Sequence, residues 1–354
     1  METASPVLDG VTSSLAPPVM ADFSHYGGVS SDWERVIAAI PPEQLAGAIP
    51  VAVTLDEPFL LKVQEKTNRE RAARAQSALK VLVDNVSVPI RVYRPALKQN
   101  GKALPVYIWF HGGGFLFGSL DGENAHCTQI VLENAVIVVN ICYRHTPQWK
   151  WPTQHRDAMT AVDWVFENML ILGGDESKVI IAGRSAGALV AASTALGDLR
   201  AHGRSRFCGQ ILDIPWLCHS AAFPYEAIAQ GKDSYSENLT APILPGDLLH
   251  LFETLVTPDP MDSTFNVLLA EDQALEGVPP THFHIAGRDM LRDQGILYQQ
   301  KLQRCGVSTT INIYSGVPHG FMFLGDLEAS QQWARDHREA IHLLLRYVQG
   351  RPSE

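Results

Sequence analysis

Residues 179–192 read VIIAGRSAGALVAA. Four apolar residues run straight into Gly183-Arg184-Ser185-Ala186-Gly187, and a helix-forming run leaves it at Ala188. The pattern G-x-S-x-G at such a junction describes a sharp strand-to-helix turn with a serine hydroxyl at its apex. Glycines flank the serine where side chains would collide with neighbouring elements. At ordinary Gly and Ser usage the bare pattern arises by chance in about one chain in ten of this length. The competing reading is a tight turn with an incidental serine. The strand before and the helix after favour the functional one.

Outward from this turn the texture is that of alternating strands and helices. Upstream, 106–110 and 136–141 are nearly continuous apolar runs, as expected of parallel strands covered on both faces. Residues 81–83 and 90–93 read as short strands around the turn-like Asp84-Asn85. Downstream, 209–214, 282–285 and 310–314 are further strand candidates, and helical patterns cover 157–172, 186–199 and 327–348. Such alternation implies an α/β fold with a mostly parallel sheet. Residues 216–270, rich in Pro, Ser, Asp and aromatics, interrupt it. At the front, residues 1–25 read as a loose arm. Trp33, Val36, Ile37 and Ile40 then fall at helical spacing until Pro41-Pro42, and a charged amphipathic segment occupies 58–78. The division is therefore an arm with cap helices at 1–78, core at 79–215, a cap insertion at 216–270, and core again at 271–354.

The chemistry follows the strand ends. His111-Gly112-Gly113-Gly114-Phe115 comes directly after the strand ending at Phe110. Successive glycines leave backbone N–H groups free to converge on an anion, which is how an oxyanion is stabilised. A phosphate cradle would need the lysine and hydroxyl of a P-loop, which are absent. A serine nucleophile needs a base, and the base an orienting acid. His319 lies in a loop just past the 310–314 strand, and Asp289 just past 282–285. The order Ser185, Asp289, His319 is that of a strand–turn–helix serine hydrolase. The rival acid, Asp293, would sit inside the following helix and support its first turn. His282 and His284 share a strand face without acids or further His nearby in sequence, so no metal site is expected there. His126, His145, His155, His202, His219 and His250 are scattered.

Bulk properties narrow the field. An apolar fraction of 46% and a charged fraction of 19% belong to a globular chain, not a disordered one. A net charge of -10 with no basic run argues against nucleic acid as a partner. No basic-then-apolar leader and no long apolar run is visible, so neither a signal peptide nor a membrane span is expected. Cys127, Cys142, Cys208, Cys218 and Cys305 are odd in number and never form C-x-x-C, which fits free thiols and a cytoplasmic setting.

Taken together, these residues resemble the hormone-sensitive-lipase-like branch of the α/β-hydrolases, which includes carboxylesterases of bacteria, fungi and plants. The matching elements are HGGGF at 111–115, Tyr143-Arg144, GRSAG at 183–187, DMLRDQG at 289–295 and HGF at 319–321, across roughly residues 80–350. The resemblance implies the α/β-hydrolase fold with a helical cap, no cofactor, and hydrolysis of short to medium acyl esters. It also implies that the N–H groups of Gly113, Gly114 and Ala186, with Gly112 beside them, form the oxyanion hole. Acyl transfer or thioester cleavage on a polyketide-type metabolite, and a non-catalytic ligand-binding relative, are the alternatives. The substrate is a small ester or thioester, and an oligomer is compatible with all of this. Aromatic residues in the loops, Phe115, Phe117, Trp216 and Tyr235, are candidate substrate contacts. One departure matters: the family usually carries an acid where this chain has Arg184. That charge either favours an anionic substrate or pairs with a surface acid, and the second is preferred.

Overall fold

The apolar runs pair with one another into one sheet. The structure, a computed structural model, describes residues 20–40, 79–83, 86–96, 102–259 and 262–349. Its strands are β1 (Leu79–Val83), β2 (Val86–Tyr93), β3 (Leu104–Phe110), β4 (Ile137–Ile141), β5 (Gly174–Arg184), β6 (Gly209–Asp213), β7 (Thr281–Arg288) and β8 (Thr309–Pro318). They form an eight-stranded sheet in the order β1-β2-β4-β3-β5-β6-β7-β8. Only the pairings at the β1-β2-β4 end are antiparallel; from β4 to β8 every neighbour runs parallel.

Continuous apolarity in these strands has a direct cause. Val106, Ile108, Ile181 and Leu212 face one layer, while Tyr107, Trp109, Ile180, Ala182 and Ile211 face the other. The longer helices are α1 (Ser31–Ala39), α2 (Asn124–Asn134), α3 (Thr153–Glu167), α4 (Ala186–His202), α5 (Gly246–Val256), α6 (Arg292–Arg304) and α7 (Glu328–Gln349). Helices α3, α4 and α6 cover the first face. Cys127, Ile130 and Val131 of α2, with Ala340, Ile341 and Leu344 of α7, cover the second. Each fully buried aliphatic side chain contributes about 1.5–3 kcal/mol, so neither face has room for a polar alternation.

Several expectations need adjustment. The helix anticipated over 157–172 starts at Thr153 and breaks at Asn168, whose amide donates to the Trp164 carbonyl, before a short turn at Met169–Leu172. Helices α2 and α5 are additions to the sequence reading. The 58–78 segment lies outside the described residues. The arm is not loose throughout: Ala21 N donates to Ala227 O at 3.0 Å, and Ala21 O accepts from Ala229 N at 2.8 Å. The chain before α1 is thus stitched to the 216–270 interval. That interval adds no strand to the sheet among the described residues. Its ends meet, since Leu268 N donates to Leu217 O at 3.1 Å.

Candidate active site

Strand β5 delivers Ser185 to the first position before α4, at φ 54° and ψ -119°. A non-glycine residue in such a conformation costs of order 1–3 kcal/mol and persists only where its surroundings fix it. Here Ser185 N donates to Asp213 O at 2.8 Å, and its carbonyl accepts from Ala188 N at 3.0 Å and Leu189 N at 3.2 Å. The flanking glycines are there for close approach. A Cβ on Gly183 would overlap the Gly187 carbonyl, and one on Gly187 would overlap the carbonyl oxygens of Phe110 and His111.

Strands β7 and β8 stop side by side, placing Asp289 and His319 immediately beyond their ends. His319 Nδ1 lies 2.7 Å from Asp289 Oδ2, and Nε2 lies 2.9 Å from Ser185 Oγ. A carboxylate only accepts, so Nδ1 carries the proton and Nε2 is free to receive the serine hydroxyl's hydrogen. The other Asp289 oxygen accepts Leu291 N at 3.0 Å. Asp293 is occupied elsewhere: it accepts from Ser234 N at 2.7 Å and from Arg292 Nε at 2.8 Å. Burial pushes its carboxyl up against the pull of Arg292. Its work is to fasten the 216–270 interval to α6, and not only to support its own helix.

The glycine loop is locked beside the serine. A Cβ on Gly112 would stand 3.5 Å from the Ser185 Cβ. Tyr143 Oη donates to His111 O at 2.7 Å, and Thr146 N donates to Phe115 O at 3.0 Å. Arg144 is held by Asp157 through three side-chain contacts of 2.5–3.0 Å. Among the described residues, the N–H groups of Gly113, Gly114 and Ala186 donate to no protein acceptor. Gly114 sits at φ 59° with the Phe252 ring pressed on it, so a side chain there would overlap that ring. Phe252 was not legible as a site residue, because nothing local in α5 ties it to residue 114.

The anticipated substrate contacts separate into packing and exposed residues. Phe115 and Trp216 are buried in one aromatic cluster with Tyr143, Trp151 and Phe265. Tyr235 packs on Phe223 and its hydroxyl meets Gln294 Nε2. Phe117, next to Phe252, is 37% exposed and keeps a free surface.

Arg184 pairs with acids, as the preferred reading expects, but it does so in the interior and not at the surface. It is 3% exposed, stands 5.0–5.2 Å from the ring centres of Trp109, Phe323 and Trp333, and lies 3.6 Å from Asp213 and 3.7 Å from Glu123. That cage on the α2–α7 side of the sheet accounts for the cation without any substrate. Arg184→Met is therefore expected to cost about 2–4 kcal/mol, because it leaves two acids short of their counter-charge. Urea unfolding measures this. A KM change toward anionic esters with unchanged stability would reverse the assignment.

The sequence profile of the α/β-hydrolase fold matches residues 107–323. The chain belongs to the α/β-hydrolase fold family. Within it, the branch is the hormone-sensitive-lipase-like one. The chain is 32% identical over 240 residues to carboxylesterase NlhH of Mycobacterium tuberculosis, covering 66% of this chain and 71% of that protein. It is 28% identical over 265 residues to versiconal hemiacetal acetate esterase of Dothistroma septosporum, covering 74% and 80%. Among solved structures, vibralactone cyclase superposes with a TM-score of 0.77 at 25% identity, over 92% of this chain and 97% of that one. No helix among the described residues is long and apolar enough to cross a membrane.

Proposed function

We propose that this α/β-hydrolase cleaves carboxylic esters of short to medium acyl chain through an acyl-enzyme on Ser185. One observation supports the reading most: Ser185 Oγ, the His319 ring and Asp289 form an unbroken hydrogen-bonded line at 2.9 and 2.7 Å. His319 takes the hydroxyl proton as Oγ attacks the ester carbonyl, while Asp289 orients the ring and stabilises its cation. Negative charge then develops on the carbonyl oxygen, beside Gly113, Gly114 and Ala186. Each preorganised N–H there is worth roughly 3 kcal/mol in the transition state. Ala186 also opens α4, whose dipole favours an anion at that end. His319 next gives its proton to the leaving alcohol and activates the water that frees the acid.

Phe252 and Phe117 close over the glycine loop, which supports a small acyl group. The cytoplasm is the proposed location: all five cysteines are free, which suits a reducing compartment. The substrate is a small molecule and not a nucleic acid.

The test is a p-nitrophenyl ester series from acetate to palmitate. Turnover is expected to peak at the short chains and to fall for the long ones. A peak at palmitate would overturn the acyl-size reading, and no turnover at all would overturn hydrolysis of simple esters. Likeness to a protein titled a cyclase favours one second reading, in which a hydroxyl of the substrate replaces water as acceptor. Product analysis separates the two, since ring closure releases no free acid.

A further inference from the structure

We propose that Asp213, His284 and His337 form a buried site for a divalent transition-metal ion of the zinc type. The three residues end β6, lie within β7 and face inward from α7, and their relative exposures are 0%, 0% and 3%. Asp213 Oδ1 is 3.9 Å from His284 Nε2 and 3.5 Å from His337 Nδ1, and all three atoms lie within 4.8 Å of one another. Tetrahedral ligands at about 2.0–2.1 Å from a zinc ion stand roughly 3.3–3.5 Å apart, so the Asp213–His337 pair already stands at ligand spacing and the other two pairs have to draw in. Two imidazoles and a carboxylate are ligands that suit such an ion, with the fourth position left for water.

The hydrogen-bond pattern leaves the His284 nitrogen that faces Asp213 without a hydrogen. His284 Nδ1 contacts Tyr314 Oη at 2.9 Å, and that hydroxyl spends its single hydrogen on Asp336 Oδ2 at 2.9 Å. His284 Nδ1 must therefore carry the proton, and Nε2 presents a bare lone pair to a carboxylate. Both Asp213 carboxylate oxygens, His284 Nε2 and His337 Nδ1 have no hydrogen-bond partner among the described residues. Each such orphan costs of order 1–3 kcal/mol. His337 Nε2 is taken by Tyr107 Oη at 2.9 Å. His337 offers Nδ1 as a ligand when its Nε2 carries the hydrogen toward Tyr107 Oη, and each imidazole then has its outer nitrogen against a phenol and its inner one facing Asp213.

The charges fit as well. Asp213 supplies the anion that a divalent ion requires beside two imidazoles. The Arg184 cation, 3.6 Å from the other Asp213 oxygen, works against a second cation, and Glu123 beside it offsets that charge. A cleft between α2 and α7, lined by Gln129, Glu133 and Trp333, borders His337 and offers an entry path. The ion would brace the strand end whose carbonyl holds Ser185 N, so its effect is on stability.

Full-length protein stripped with a strong chelator is titrated with Co²⁺ and, separately, Zn²⁺. One Co²⁺ per chain with ligand-field absorption, and a Zn²⁺-dependent rise in Tm of roughly 4 °C at about a hundred times Kd, are expected. Both are lost in His337→Gln and kept in Cys142→Ser. The second variant matters because His111, Cys142 and His145 also bring three ligating atoms together. No stoichiometric binding to the wild type would overturn the site and leave a bridging water in its place. So would binding that survives His337→Gln, or binding that carries a thiolate-to-cobalt band and disappears in Cys142→Ser.

Discussion

Ser185→Ala is expected to lower kcat on p-nitrophenyl acetate by about 10⁴–10⁶-fold, the range seen when a serine nucleophile is removed and only oxyanion binding remains. Alanine has the same backbone demands as serine, so the strain at φ 54° is unchanged and the chain keeps its fold. Far-UV circular dichroism and Tm close to wild type establish that the loss is chemical. Stopped-flow mixing should show a burst of p-nitrophenol in the wild type if deacylation is slow, and none in the variant. A fluorophosphonate should add one adduct to the wild type alone. An adduct or a burst in Ser185→Ala would remove the serine from the mechanism.

Asp289→Asn is expected to cost about 10⁴ in kcat through the tautomer of His319. Asp289 accepts twice, from His319 Nδ1 and from Leu291 N. An amide has one accepting oxygen, and the backbone N–H of Leu291 can only donate to it. The Asn NH₂ group is then left facing His319, which must offer Nδ1 as a lone pair and carry its hydrogen on Nε2. That hydrogen points at Ser185 Oγ, so the ring cannot take the serine proton. Asp293→Asn provides the contrast. It loses its ion pair with Arg292, and the expected outcome is a lower Tm with kcat little changed. Equal loss of kcat in the two variants would mean that the acid had been assigned to the wrong aspartate.

The parts of this molecule legible in the sequence are those encoded locally. A continuous apolar run followed by G-x-S-x-G specifies strand, turn and helix within 14 residues, because the glycines answer to contacts made inside that same unit. Asp289 and His319 were readable for the same reason, each lying one residue past a strand that announces itself. Helix α2 went unread although Cys127, Ile130 and Val131 stand at helical spacing, because Thr128 and Gln129 between them and Glu133-Asn134 after them leave only a short apolar stripe. The pairing of Arg184 with an acid was readable, but its burial was not, because its surroundings are assembled by topology. Trp109, Glu123, Asp213 and Trp333 come from four separate elements or loops, and no spacing in the chain links them. The same holds for His284, whose facing partners on β6 and α7 become neighbours only when the sheet forms.

The interval between Leu217 and Leu268 leaves and rejoins the frame at one place and is fastened to the rest of the chain at several points between. One hydrogen bond joins its ends, Gln294 holds Leu217 N and Cys218 N, and Asp293 holds Ser234 N. A detour whose two ends coincide does not register in the length of the strands on either side. Its two ends can stay in place while β6 and β7 keep step, but Phe252 against Gly114 and Asn238 on the Asp289 carbonyl tie its middle to the oxyanion loop and to the acid. Selectivity for the acyl group and the machinery that transfers it are therefore coupled through those two contacts, and a change within the interval is felt at the frame.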